Sequence, residues 1–170
     1  MKNASEGCSD AELSPETADA IVLSIPEGAA LVHKSINEMP DPIVAAIDQF
    51  VYARCGGKRS LPDGYDPEDL PYSLGALWGE QLVREFNWTW RNVTTPAIGT
   101  TLGVISPDKS LVVYPVHYLF HCLARPDADP TILLAFNMLS EGKTESQPND
   151  YRNLMTSVLR IVPRGPYGDN

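Results

Sequence analysis

The chain has 170 residues and a formal net charge of −9, with 22 acidic against 13 basic side chains. This charge repels nucleic acid and anionic lipid at long range, so the composition disfavours both as partners and favours a basic one. Hydrophobic residues make up 43% of the chain, which is enough for a packed core. They form no uninterrupted apolar run of the roughly 18 residues that a membrane span needs.

Compartment and domain boundaries follow from how the composition changes along the chain. The first residues are polar and acidic, unlike a secretory signal peptide, and three scattered cysteines are typical of reduced thiols. Both features favour a cytoplasmic protein. We expect a flexible tail over residues 1–13, a single α+β domain over 14–162 and a loose C-terminal end over 163–170.

Two proline-led signals mark the start of the predicted domain. Ser14 can cap free backbone N–H groups ahead of Pro15, which predicts a short helix through Leu23. Pro26 then opens a further turn of helix, or else residues 20–25 form a strand. The pattern leaves both interpretations open.

A second helix is predicted from Asp41 and Pro42, a capping carboxylate followed by a proline at the first helical position. Apolar residues then recur at helical spacing up to a stop at Gly56 and Gly57. Residues 58–71 are rich in proline, glycine and acidic residues, which predicts a surface loop.

The strongest helical pattern follows Ser73. A stripe of apolar residues predicts a central buried helix: Leu74, Leu77, Trp78, Leu82 and Phe86. Gly75 and Gly79 lie one turn apart in this helix, where each glycine costs about 1 kcal/mol relative to alanine. We therefore expect another element to approach the backbone closely at these positions.

Three segments rich in β-branched and aromatic residues come next, at 88–94, 100–105 and 110–114. Between the last two, Pro107 and Asp108 suit a tight turn. The sequence therefore predicts an α+β fold in which helices pack on a small three-stranded antiparallel sheet, a meander.

Two further helices are predicted after the sheet. Pro115 begins one, Asp129 with Pro130 begins another, and we expect the two to pack together. A last helical segment follows a polar loop and is capped by Asn149 or Asp150.

His117 and His121 lie four residues apart on the first of these helices, a spacing that can place two imidazoles on one metal ion. A zinc site needs three or four ligands, however, and the neighbouring residues 118–120 look like core. The sequence therefore favours neither a metal site nor a cofactor. A metal-dependent enzyme organised around the two histidines is the alternative.

No other motif indicates catalysis. Cys55 or Cys122 can be paired with His33 as a nucleophile, but neither cysteine lies in a recognisable catalytic signature, and buried thiols are the more common interpretation. The sequence contains neither a phosphate-binding P-loop nor a dinucleotide fingerprint. We therefore expect a non-enzymatic protein without catalytic residues.

An acidic loop with one aromatic residue is the best candidate for a partner-binding site. It contains Asp63, Tyr65, Asp66, Glu68 and Asp69. Four carboxylates around a tyrosine give a dense negative patch with an aromatic anchor, which suits a basic protein. The alternatives are a solvated loop in which Asp66 caps a helix, and a calcium site, whose usual ligand spacing is not reproduced.

Four stretches resemble a family of uncharacterised bacterial domains: Leu74 to Leu82, Trp88 to Trp90, Leu102 to Ile105 and Leu111 to Pro115. The family pairs a helix of the type LGxxxGE with strands that end in a proline-led helix, and the resemblance covers residues 70–140. Its motifs are structural, so the resemblance implies an α+β fold and transfers no catalytic residue.

Small acidic bacterial proteins of this kind resemble immunity proteins, which bind a cognate toxin and block it. Toxins that attack nucleic acids are basic, so an acidic inhibitor gains electrostatic steering toward them. The hypothesis that results is a cytoplasmic immunity protein that binds a basic toxin. A self-associating structural subunit is a further alternative.

Overall fold

The computed structural model describes residues 6–161, which form six α-helices and five β-strands. The helices are α1 (Pro15–Leu31), α2 (Pro40–Cys55), α3 (Leu70–Phe86), α4 (Pro115–Leu123), α5 (Ile132–Ser140) and α6 (Leu154–Ile161). The strands are β1 (Ser9–Ala11), β2 (Thr89–Thr95), β3 (Gly99–Ile105), β4 (Leu111–Val113) and β5 (Arg152–Asn153). The predicted α+β class is confirmed. The predicted loose end at 163–170 lies outside the described residues.

The five strands form one mixed sheet in the order β1-β2-β3-β4-β5. β2, β3 and β4 are antiparallel neighbours, as the predicted meander requires. The prediction of only three antiparallel strands was wrong, because β1 also pairs with β2 and β5 pairs in parallel with β4. These added strands have three and two residues, too few for an alternating pattern to show in the sequence.

Strand β1 falls within the segment that the sequence predicted as a flexible tail. Asp10 lies opposite Val93 in the antiparallel ladder with β2, so residues 9–11 belong to the sheet. Polar composition misled the prediction at this point, because the strand is held by a buried ionic contact of Asp10 rather than by apolar side chains.

Helix α1 is continuous, whereas the sequence predicted a short helix to Leu23 followed by a second piece or a strand. The predicted start is correct, since Ser14 Oγ accepts the Thr17 N–H at 3.2 Å. Pro26 lies inside the helix and removes one backbone hydrogen bond, but the helix runs on to Leu31 because its inner face packs along α3. His33, with φ of 55°, then ends it.

Helix α2 buries the predicted apolar face against the core and ends before Gly56, as expected. It begins at Pro40, so Asp41 lies in its first turn and is not the cap. A different carboxylate has a capping role: Asp48 Oδ1 accepts the Leu133 N–H at the start of α5, at 3.0 Å. Burial raises the pKa of this carboxyl.

The central position of α3 is confirmed. Four residues of the predicted stripe are almost inaccessible to solvent: Leu74, Leu77, Trp78 and Leu82. The helix begins at Leu70 rather than at Ser73, because a single 3₁₀ turn at Pro67–Asp69 leads directly into it. Ser73 is buried.

Close backbone approach at the glycines of α3 is also confirmed. A Cβ at Gly75 would lie 2.8 Å from Val116 Cγ2 on α4, and one at Gly79 would overlap the six-membered ring of Trp90 on β2. Gly28 on α1 makes a third contact of this kind, with the backbone carbonyl of Ser73. Neighbouring elements therefore approach the backbone of α3 closely on three sides.

The C-terminal helices differ from prediction in their caps and partners. α4 packs mainly on α3, while α5 packs mainly on α2 and α6, so the predicted pairing of α4 with α5 is not the main contact. α5 begins at Ile132, after Thr131 with φ of 50°. The cap of α6 is Asn153, whose Oδ1 accepts the Met155 N–H at 3.1 Å, because β5 separates Asn149 and Asp150 from the helix.

None of the helices between residues 6 and 161 has the length and apolar character to cross a membrane.

We predict that Gly28→Ala lowers the free energy of unfolding by about 2 kcal/mol. The new methyl group would overlap the Ser73 carbonyl oxygen, and backbone cannot move aside as a flexible side chain can. Alanine is otherwise preferred to glycine within a helix, so a loss isolates the steric effect. Urea denaturation measures this loss of stability.

Gly56→Ala is the matched control, since Gly56 has a φ of −75° and a Cβ at this position would meet no atom closer than 3.6 Å. Equal midpoints for the two variants would contradict the prediction.

Candidate functional site

The predicted acidic loop lies on the surface, directly before α3. Asp63, Asp66, Glu68 and Asp69 are all exposed. Asp66 Oδ1 accepts the Glu68 N–H at 2.9 Å and so caps the 3₁₀ turn, which was one of the roles considered for it from the sequence. The other three carboxylates are left to face solvent and give this end of α3 a concentrated negative charge.

Tyr65 is half-buried and ties the loop to the helices beneath it. Its hydroxyl donates to Ser73 Oγ at 2.9 Å, and Ser73 Oγ donates in turn to Glu27 Oε2 on α1 at 3.2 Å. Burial raises the pKa of Tyr65, and the nearby carboxylates of Glu27, Asp69 and Asp66 raise it further. This chain of hydrogen bonds fixes the loop relative to α1 and α3. A direct role of Tyr65 in partner binding stays a prediction.

Two exposed aromatic side chains lie at the same end of α3. Tyr72, in the first turn of α3, is 51% exposed, and Phe120 on α4 is 45% exposed. Their rings are edge to face, with centroids 5.5 Å apart. The sequence had suggested core for Phe120, but it is one residue from the fully buried Leu119 and so points about 100° away from it around the helix.

A shallow groove of about 280 Å³ adjoins Tyr72. It lies between α1, α3, α4 and the sheet and is lined mostly by apolar groups, among them Ile21, Ala76 and Val116. The Trp90 ring also lines it, and no acceptor among the described residues reaches the buried indole N–H. The groove offers an apolar recess beside the aromatic pair.

We name these features together the acidic–aromatic surface. It consists of Asp63, Asp66, Glu68, Asp69, Tyr72 and Phe120. The four carboxylates were identified from the sequence. The aromatic pair was missed, because its two residues are 48 positions apart and meet only when α4 packs on α3.

The predicted histidine pair is assembled on α4. The rings of His117 and His121 have centroids 4.5 Å apart at an angle of 69°. Over residues 6–161, no third histidine, cysteine, aspartate or glutamate joins them to make a group of three potential ligands. Within these residues the pair therefore offers two potential ligands, whereas a catalytic zinc site uses three protein ligands.

The buried cysteines are poorly suited to nucleophilic chemistry. Cys55 Sγ donates to the backbone carbonyl of Cys122 at 3.3 Å, and both residues belong to the main core. Burial raises the pKa of Cys55, and it raises that of Cys122 to about 12. Both thiols are therefore protonated at neutral pH, whereas the thiolate is the reactive form. His33, the histidine considered as their partner, is exposed beyond the end of α1.

A buried ionic cluster on the face of the sheet opposite the helices was not predicted. Asp10, whose side chain is 2% exposed, accepts from Arg91 Nε at 2.9 Å, from Lys109 Nζ at 2.8 Å and from the Tyr151 hydroxyl at 2.6 Å. Burial alone would raise the pKa of Asp10, but these three donors outweigh it and lower the pKa to about 2. Burial and the Asp10 carboxylate raise the pKa of Tyr151 to about 12.

The geometry of this cluster indicates a structural role. Its donors come from β2, from the turn before β4 and from the segment before β5, and all converge on β1. A neighbouring cavity of about 270 Å³ is lined by Asp10, Arg91 and Lys109, whose charges are already engaged with one another. Asp10 therefore fastens the N-terminal strand to the sheet.

Comparisons with protein-family models, with curated proteins and with solved structures gave no match to the chain. The resemblance to bacterial domains therefore rests on the sequence motifs alone, and the resemblance to immunity proteins rests on the small size and acidic charge of the chain.

We predict that Asp10→Asn destabilises the fold by about 1–3 kcal/mol at pH 7, because Arg91 and Lys109 would lose the buried carboxylate that they share. The folded-state pKa of Asp10 lies below its ordinary value of 3.8, so its stabilisation is present above that value and is lost as the pH falls toward 2. Urea denaturation should therefore show that the difference in free energy of unfolding between wild type and variant disappears as the pH falls through this range.

Glu12→Gln is the control for Asp10→Asn. The Glu12 carboxylate lies 3.7 Å from Arg91, but its side chain is 90% exposed, so its removal should leave the stability nearly unchanged. If Asp10→Asn unfolded at the wild-type urea concentration at pH 7, the cluster would not be what holds β1 in place.

Proposed function

We propose that this chain is a non-enzymatic binding protein whose acidic–aromatic surface docks on a basic protein. The observation that supports this most is the meeting, at one end of α3, of exposed carboxylates with an exposed aromatic pair. Charge and aromatic area are the two surface properties that favour protein recognition, one for encounter and one for affinity.

The charge acts first, at long range. Four exposed carboxylates lie within seven residues, on a chain whose net charge is −9. Such a concentration of charge accelerates the approach of a basic partner and orients it, and salt screens the effect over about 10 Å at 0.1 M. Nucleic acid and anionic membranes would be repelled by the same field.

The aromatic pair acts on contact. Tyr72 and Phe120 already pack edge to face, so little side-chain freedom remains to be lost when a partner covers them. Aromatic residues of this kind commonly provide the few contacts that dominate a binding free energy. The adjoining groove can receive an apolar side chain of the partner.

The most concrete form of this function is that of a cytoplasmic immunity protein that neutralises a cognate bacterial toxin. The resemblance described above supports it, and so does the charge, since a toxin that acts on nucleic acid presents a cationic cleft. An acidic surface that occupied such a cleft would block substrate access without any chemistry of its own.

The product of the adjacent gene is the partner to test. We expect it to form a one-to-one complex with this chain and to be harmless to cells that also produce the chain. The double variant Asp63→Lys with Glu68→Lys should associate with the partner at least about tenfold more slowly than the wild type at low salt. The difference in association rate should become smaller at high salt, because salt screens the charges. These two side chains accept no hydrogen bond and form no ion pair over the described residues, so the loop itself should stay folded.

A control with the same change in charge separates local from general effects. Glu85 and Glu145 are also exposed, and Glu85 lies at the far end of α3, about 20 Å from Tyr72. Glu85→Lys with Glu145→Lys should associate at close to the wild-type rate. Equal slowing of both double variants would mean that net charge alone governs encounter. Absence of both complex and protection would remove the immunity function.

A further inference from the structure

The outer face of α4 presents two imidazoles one helical turn apart. His117 is half-buried and His121 is exposed, with ring centroids 4.5 Å apart. Over residues 6–161, neither ring makes a hydrogen bond or an ion pair with another side chain. Neither imidazole is therefore committed to another side chain of the described residues.

The helix beneath the pair is firmly held. Leu119 and Cys122 point into the core from the opposite face of α4, and Pro115 begins the helix directly after β4. The close contact between Gly75 and Val116 fixes α4 against α3. The packing of α4 thus fixes the backbone positions of the two histidines, which lowers the entropy lost when both bind one ligand.

The charge of the chain also suits a cation, which imidazole binds through the lone pair of a ring nitrogen. The chain has a net charge of −9, which raises the local concentration of cations. Imidazole nitrogens prefer zinc, copper and nickel to magnesium and calcium, which take oxygen ligands.

We propose that His117 and His121 form a two-donor surface site for a divalent first-row transition-metal ion of the nickel, copper and zinc group. The described residues supply no third donor, so water completes the coordination and the ion exchanges readily. This site is not a catalytic centre, and it does not depend on the proposed partner.

Isothermal titration calorimetry of the full, metal-free chain with Ni²⁺ tests the site. We expect one ion per chain. His117→Asn and His121→Asn should each weaken the affinity by about tenfold or more, since each leaves a single imidazole. His33→Asn should leave the affinity unchanged, because His33 is a lone exposed histidine and asparagine readily adopts its φ of 55°.

A second readout does not depend on how the variants fold. In the wild-type chain, paramagnetic Ni²⁺ should broaden the ring proton signals of His117 and His121 in NMR spectra before those of His33. Three results would overturn the site: no Ni²⁺ binding by the wild type, undiminished binding by the double variant His117→Asn with His121→Asn, or equal broadening of the ring signals of all three histidines.

Discussion

The close packing of α3 is the constraint on which the rest of the structure depends. Three glycines remove the side chains that would otherwise separate it from its neighbours: Gly28 on the α1 side, Gly75 on the α4 side and Gly79 on the sheet side. A helix interior tolerates glycine only at a cost, so the compensation must come from the tight packing that glycine permits. The layers of the fold meet at this one helix.

The acidic–aromatic surface inherits its geometry from these contacts. The edge-to-face pair of Tyr72 and Phe120 joins α3 to α4, whose spacing is set where Gly75 meets Val116. The hydrogen bonds from Tyr65 through Ser73 to Glu27 join the loop to α3 and α1 beside the Gly28 contact. A binding surface built from three elements can thus stay fixed before any partner arrives, which reduces the entropy lost on binding.

Sequence patterns were sufficient where an element is long and its burial is regular. The stripe of α3 follows directly from apolar periodicity, and the three strands of the meander follow from their β-branched and aromatic residues. Both glycine contacts on α3 could be anticipated from the energetic cost of glycine in a helix. The predictions failed where an element depends on contacts with residues that are distant in the sequence. β1 depends on donors up to 141 residues away from Asp10, α1 passes through Pro26 because α3 supports it, and the aromatic partner of Tyr72 comes from a distant helix.

Native-state hydrogen exchange measures the central role of α3 most directly. Amides between Leu74 and Leu82 should exchange only when the whole molecule unfolds, so their free energies of exchange should equal the global free energy of unfolding from urea denaturation. Amides of β1, at the edge of the sheet, should exchange through smaller local openings. If the α3 amides exchanged as easily as those of β1, the helix would not be the element that holds the fold and its binding surface together.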